Sequence, residues 1–181
     1  MKHKEKKMAY IELALSSNDK LESIMQSGTT PDVRDLAGWE FKGYNTFDLT
    51  GLLGFRKFKK GFTADSEPKS PTDRIKGYNL KVVQNGIVDD WIDTGAPRYA
   101  FYEVYPAKDD PIDNKYPNAI LINYGASDKN PIYDPARLLR DYLVQVYPDN
   151  KDLFLGKAYV AIGRARIFVS YFVLERHNKN S

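Results

Sequence analysis

Seven polar side chains stand in otherwise apolar, core-type stretches of this chain: Asn79, Lys81, Glu103, Asn123, Lys157, Arg166 and Ser170. Tyr78, Phe101 and Tyr159 lie within two residues of three of them, in a sequence with thirteen tyrosines and nine phenylalanines. A polar group that is buried must be paired, hydrated or bonded to a ligand. A pocket walled by Tyr and Phe with one or two cations would suit an apolar molecule carrying a carboxylate. Glu103, on a strand between aromatics, would have its pKa raised by desolvation and is the candidate general acid or base. The competing reading sets each Lys and Arg on a solvated outer face, because a single bulge reverses which side of a strand points inward.

Other chemistries find little support. The chain has no cysteine, hence no disulfide, thiolate metal site or thiol nucleophile, and its two histidines are too few for a zinc site. No metal is therefore expected. His177, just past the last strand, is the one residue that could serve a haem; otherwise no cofactor is expected. The loop carrying Asp109, Asp110, Asp113 and Asn114 has hard oxygen ligands but lacks the spacing and glycine of a calcium loop. There is no nucleophile elbow, P-loop or dinucleotide fingerprint.

The formal charge of +3 is carried by the first seven residues, where four lysines face one glutamate, so residues 8–181 are neutral. A phosphate-neutralising nucleic-acid binder usually needs a basic body. The stretch "FRKFKKGF", with Arg56, Lys57, Lys59 and Lys60, reads better as an outward basic strand that packs its phenylalanines inward. No apolar run approaches the roughly 18 residues of a membrane span, and the start of the chain has no convincing cleavage site. A disordered basic tail at 1–7 and a single cytoplasmic domain at 8–181 are expected.

The elements that must position these residues are mostly strands. "SSNDKLESIMQSG" predicts a helix with Ser17 or Asn18 as N-cap and Gly28 past its end. Strands are expected at about 38–45, in "FRKFKKGFTA", in "IKGYNLKVVQ", in "IVDDWID" after a hairpin turn at Asn85-Gly86, in "RYAFYEVYP", in "NAILINYG", and in the hairpin "LFLGKAYVAI" and "ARIFVSYFVLER". "FDLTGLLG" could form one helical turn. Asp134-Pro135 followed by Leu138, Leu139, Tyr142, Leu143 and Val146 at helical spacing predicts a helix over about 135–147. Eight sequential strands with few helices predict a mainly β, eight-stranded antiparallel up-and-down barrel; the alternative is a strongly curved open antiparallel sheet wrapped around that helix, an α+β fold. The tetrapeptide KGYN occurs at 42–45 and 76–79. Its contexts differ too much for a repeat, and it reads as a strand bend in which Gly43 and Gly77 relieve crowding while Tyr44 and Tyr78 cover the opposite face.

Gly38-Trp39 opening the first strand after "PDVRD", with Arg176 closing the last, resembles the calycins, the superfamily of lipocalins and fatty-acid-binding proteins. Lipocalins carry Gly-x-Trp there, and an arginine that packs over the indole. Here Gly and Trp are adjacent, and the main expected helix precedes the seventh strand instead of following the eighth. The resemblance implies a barrel with Trp39 and Arg176 as closure residues and a cavity for a small hydrophobic or amphipathic molecule. Binding without chemistry is the leading expectation; an isomerase, cyclase or lyase on the same barrel, using Tyr and Glu103, is the alternative. The exposed edge of an incompletely closed barrel would favour a homodimer.

Overall fold

In a computed structural model, which describes residues 9–47 and 54–180, alternating side chains turn one face of each strand into a common interior. The strands are β1 (Trp39–Asn45), β2 (Lys57–Thr63), β3 (Ile75–Lys81), β4 (Tyr99–Pro106), β5 (Ile120–Asn123), β6 (Leu139–Gln145), β7 (Leu153–Ile162) and β8 (Ala165–Lys179). Each pairs antiparallel with the next, and β8 pairs with β1, so the sheet is a closed eight-stranded up-and-down barrel. Closure removes the open sheet edges that would otherwise need protection.

Helices are short: α1 at 9–14, α2 (Asn18–Ser27) and α3 (Val33–Leu36). The predicted caps of α2 are present, with the Ser17 hydroxyl accepting from the Lys20 amide and Gly28 following the last turn. Val33 and Leu36 of α3 pack into the interior beside Phe41 and Phe62, plugging the end where β1 begins. Helices α1 and α2 lie instead on the outer wall, where Tyr10, Leu13, Leu21 and Met25 join the outward side chains Tyr142, Val144, Leu155, Tyr171 and Val173 in a second apolar cluster.

That second cluster explains two departures from expectation. The segment 135–147 is no helix: Pro135–Leu138 is a single 3₁₀ turn, and Leu139–Gln145 is strand β6. Leu143 faces the barrel interior while Tyr142 and Val144 face the outer cluster. A strand buried on both faces shows a continuous apolar run and loses its period of two, so it imitates one face of a helix. The expected strand at "IVDDWID" is a loop with one isolated bridge, from Asp93 to Val82 just past the end of β3. Its carbonyls are taken by a lysine. The Lys57 ammonium, on the outer side of β2, donates to the Asn85 side chain and to the carbonyls of Gly86, Asp89 and Asp90, over the Trp91 ring. One strand was expected too many there and one too few at β6, so the total of eight agrees.

Both KGYN glycines lie on the inner wall, each directly opposite an aromatic of the next strand: Gly43 opposite Phe58 and Gly77 opposite Tyr102. A β-carbon at either position would run into the facing ring. The tyrosines that follow point outward, with the Tyr78 hydroxyl donating to Glu40 at 2.9 Å. The expected tail at 1–7 and most of the turn at "FDLTGLLG" lie outside the described residues.

Candidate functional site

The two halves of the interior differ in chemistry. Towards α3 it is wholly apolar, with Phe41, Phe62, Val104, Ile120, Phe154 and Leu174 all buried. Towards the opposite end, the mouth, the wall turns polar around Lys60, Asn79, Tyr124 and Asp141, none more than 6% exposed. Lys60 is brought inside by β2 itself, since it alternates with Phe58 and Phe62, and Asn79 faces it directly from β3. Asp141 enters from β6.

The ammonium of Lys60 donates to the Tyr124 hydroxyl and to Asn79 Oδ1 at 3.2 Å, and forms an ion pair with Asp141 Oδ2 at 3.2 Å. The Tyr124 hydroxyl in turn donates to Asp141 Oδ2 at 2.9 Å. Four rings surround the cation, those of Tyr102, Tyr124, Phe172 and Phe58, with centroids 4.9 to 5.6 Å from Nζ. Burial pushes the pKa of Lys60 down, and the Asp141 carboxylate opposes that shift. Burial, with the charge of Asp141, raises Tyr124 well above its ordinary value, which keeps it a neutral donor. A buried ion pair gains little stability over an apolar pair of similar volume. The apolar lower half shows that this barrel could be filled without one.

The wall beside this centre is incompletely covered. Ala158 of β7 stands between Asp141 of β6 and Ser170 of β8, its partners across the sheet, and so faces inward. It is nonetheless only half-buried, as are Tyr99, Ala136 and Leu139 packed against the same interior cluster. Asp141 and Ser170 are buried on either side of it. Inward-facing Ala158 is thus only partly covered beside the buried polar centre.

Of the residues singled out in the sequence, Asn79 and Ser170 lie on this inner wall; the remainder lie elsewhere. Lys157 and Tyr159 are on the outer wall beneath α2, where Lys157 pairs with Glu22 at 2.5 Å and donates to the Tyr116 hydroxyl at 2.9 Å. Arg166 forks onto Asp113, which Arg140 also contacts. Asn123 donates to the Tyr105 hydroxyl and caps the amides of Gly125 and Ala126. Glu103 is half-buried on the outer face, paired with Arg74 at 2.7 Å. Tyr78 carries the Arg98 guanidinium on its ring, Phe101 neighbours Lys129, and Lys81 is exposed near Tyr99. His177 is exposed near the end of β8.

Trp39 and Arg176 meet as expected, the guanidinium 4.6 Å from the indole. The residues not anticipated are Lys60, Tyr124 and Asp141. For Lys60 the signal was present: Phe58 and Phe62 at a spacing of four put the residue midway between them on the same face. Asp141 was hidden by the helical reading of its segment. Among the described residues no group of acidic and histidine side chains could hold a metal ion, and no helix is long and apolar enough to cross a membrane. No protein-family model, curated protein or solved structure matches this chain.

Proposed function

We propose that the chain is a binding protein that takes a small apolar or amphipathic molecule into the barrel mouth, above the Lys60–Asp141 centre. The observation that carries this reading is Ala158: an inward-facing residue, flanked by buried Asp141 and Ser170, yet open in part to solvent. The calycin-like architecture, with Arg176 over Trp39, supports the same reading. The three ammonium hydrogens of Lys60 have three acceptors, in Tyr124, Asn79 and Asp141. A ligand carboxylate would have to displace one of them. A ligand whose polar end donates towards Asp141 needs no such rearrangement, and is the better fit.

The test is mass spectrometry of the protein denatured after purification, alongside an Ala158→Trp variant that fills the mouth. A small molecule retained by the native protein and lost from a folded variant is expected. Absence of any retained molecule, together with no thermal shift from a panel of apolar alcohols and acids, would overturn the reading. A second reading, an isomerase, cyclase or lyase, is favoured by the shared hydroxyl of Tyr124 between Lys60 and Asp141 and moves the acid–base role away from Glu103, which Arg74 holds outside the barrel. Turnover of a candidate substrate that Tyr124→Phe abolishes would select it.

A further inference from the structure

At the mouth, the β7–β8 hairpin rises past its neighbour β6. The ladder between β6 and β7 ends at Leu139 and Val160, yet β7 continues through Ile162 before Gly163 and Arg164 turn it into β8. Gly163, at φ +57°, suits the first position of such a two-residue turn. Side chains alternate along a strand, so Val160 and Ile162 share the inner face of Ala158. Val160 pairs with Leu139 on one side and Ile167 on the other, and Leu139 packs against the interior cluster. Tyr159 and Phe168 meet on the opposite, outer face, with centroids 6.1 Å apart. An apolar strip therefore climbs from buried Asp141 and Ser170, past half-buried Ala158 and Val160, to Ile162 and Ile167. These two isoleucines are 57% and 53% exposed on the barrel-facing side of the ribbon.

At the lower end of the strip lies an oxygen without a donor. Lys60 and Tyr124 both meet Asp141 at Oδ2, 3.2 and 2.9 Å away, and among the described residues nothing donates to Oδ1. The Asp141 side chain is nevertheless only 5% exposed. A buried acceptor left unpaired is costly, and a ligand donor relieves that cost. The charge of the donor is restricted as well. Asp141 already balances Lys60, so an ammonium head would add a second buried cation beside it. A carboxylate head has no hydrogen to donate and would compete with Asp141 for Lys60. A neutral hydroxyl donates and adds no charge. Above it the strip runs about 13 Å from Ala158 to Ile162, at about 3.3 Å per residue. A zigzag alkyl chain of about ten carbons covers that length at about 1.5 Å per bond. Given the barrel mouth as the binding site, the reading on which this rests, we infer that its ligand is a linear alkyl chain ending in a neutral hydroxyl, held head inward. The hydroxyl donates to Asp141 Oδ1, and the chain runs outward past Ala158 and Val160 onto Ile162 and Ile167.

The experiment is a titration of the ¹⁵N-labelled full chain with 1-butanol, 1-hexanol and 1-octanol, followed by amide shifts, with 1-methoxyoctane, octanoate and octylamine varying the head group. Saturable shifts at Asp141, Ala158 and Ser170 are expected for all three alcohols, spreading to Val160, Ile162 and Ile167 as the chain lengthens. Affinity should rise by up to about fourfold per added methylene. Methoxyoctane, which accepts but cannot donate, should bind about tenfold more weakly than octanol, and octanoate and octylamine at least as weakly. Because Ile162 and Ile167 are more than half exposed, Ile162→Ser and Ile167→Ser should fold. Each should weaken octanol about fivefold more than butanol. Octanoate or octylamine binding as tightly as octanol, affinity independent of chain length, or equal losses for butanol and octanol in the serine variants would overturn the assignment while leaving the mouth as a binding site. Octanol shifts at Phe62 and Phe154, in the apolar half, would mean that the tail points inward and would overturn it in the same way. No saturable shift at Ala158 and Ser170 with any of these compounds would remove the mouth site as well.

Discussion

Lys60 shows how a single side chain's surroundings decide its meaning. The four lysines and arginines of "FRKFKKGF" look alike in the sequence, yet Lys57, Lys59 and Lys60 are each at most 3% exposed and each is held by different partners. Lys57 is bound by carbonyls, Lys59 by Asp93 at 2.8 Å, and Lys60 by Asp141 inside the barrel. The strand's phase was readable from Phe58 and Phe62; the partners were not, because they come from loops and strands distant in the chain. The Lys60–Asp141 pair gives the sharpest test. Asp141→Leu alone leaves a buried, unpaired ammonium and should cost about 3–5 kcal/mol. Lys60→Met combined with Asp141→Leu removes both charges and should recover more than half of that loss. Urea denaturation of the two variants decides it; a double variant as unstable as the single one would show that the pair is valued for its own energy and not for what it offers the mouth.

At the scale of elements, Lys157, read in the sequence as a candidate lining residue of an internal pocket, lies instead on the outer wall, where with Tyr116 and Tyr171 it holds a carboxylate of the protein's own helix α2. Glu22 of α2 accepts from Lys157 and from the Tyr171 hydroxyl at 2.7 Å on one oxygen, and from the Tyr116 hydroxyl at 2.8 Å on the other. Burial works to raise the pKa of Glu22, but the hydrogen bonds from Lys157, Tyr171, Tyr116 and Gln26 outweigh it and hold the carboxyl at about 2, against 4.5 for an unperturbed group. A lowered folded-state pKa contributes stability that is present above the unfolded value and lost as pH falls through the folded one. The docking of α2 should therefore weaken progressively between pH 4.5 and about 2. Solvent screening of this partly exposed carboxylate makes the effect modest. Melting temperatures from pH 6 to 2 should show a steeper acid limb for the native chain than for Glu22→Gln, and parallel limbs would remove Glu22 as the cause. Chemical types were legible here, but the occupant was not, since Glu22 is 135 residues from Lys157.

The whole molecule depends on joining its first strand to its last. Trp39 begins β1, pairs with Phe62 of β2 on one side and Lys179 of β8 on the other, and carries the Arg176 guanidinium on its face. Arg176 is anchored by Asp152 at 2.7 Å, next to the start of β7, so one cation links three strands of the wall. The barrel class was legible because alternating strands with short connections leave few ways to bury one face of every strand. Its closure was legible only through the pairing of an early tryptophan with a late arginine. The wrong helix at 135–147 did not disturb that inference, because closure constrains the number of strands more than the identity of each. Removing the indole deletes a cation–π contact of about 0.5–2 kcal/mol together with half-buried aromatic surface. Trp39→Ala should therefore destabilise by about 2 kcal/mol or more. The loss should be concentrated at the seam: amides of β1 and of β8 from Phe172 onward should lose hydrogen-exchange protection before those of β5 and β6. Because the seam joins residues far apart in sequence, it is also the costliest contact to form in loop entropy. Trp39→Phe retains a ring for Arg176 and should restore most of the protection. An alanine variant with an unchanged melting temperature, or with protection lost evenly around all eight strands, would remove Trp39 and Arg176 as the closure of this barrel.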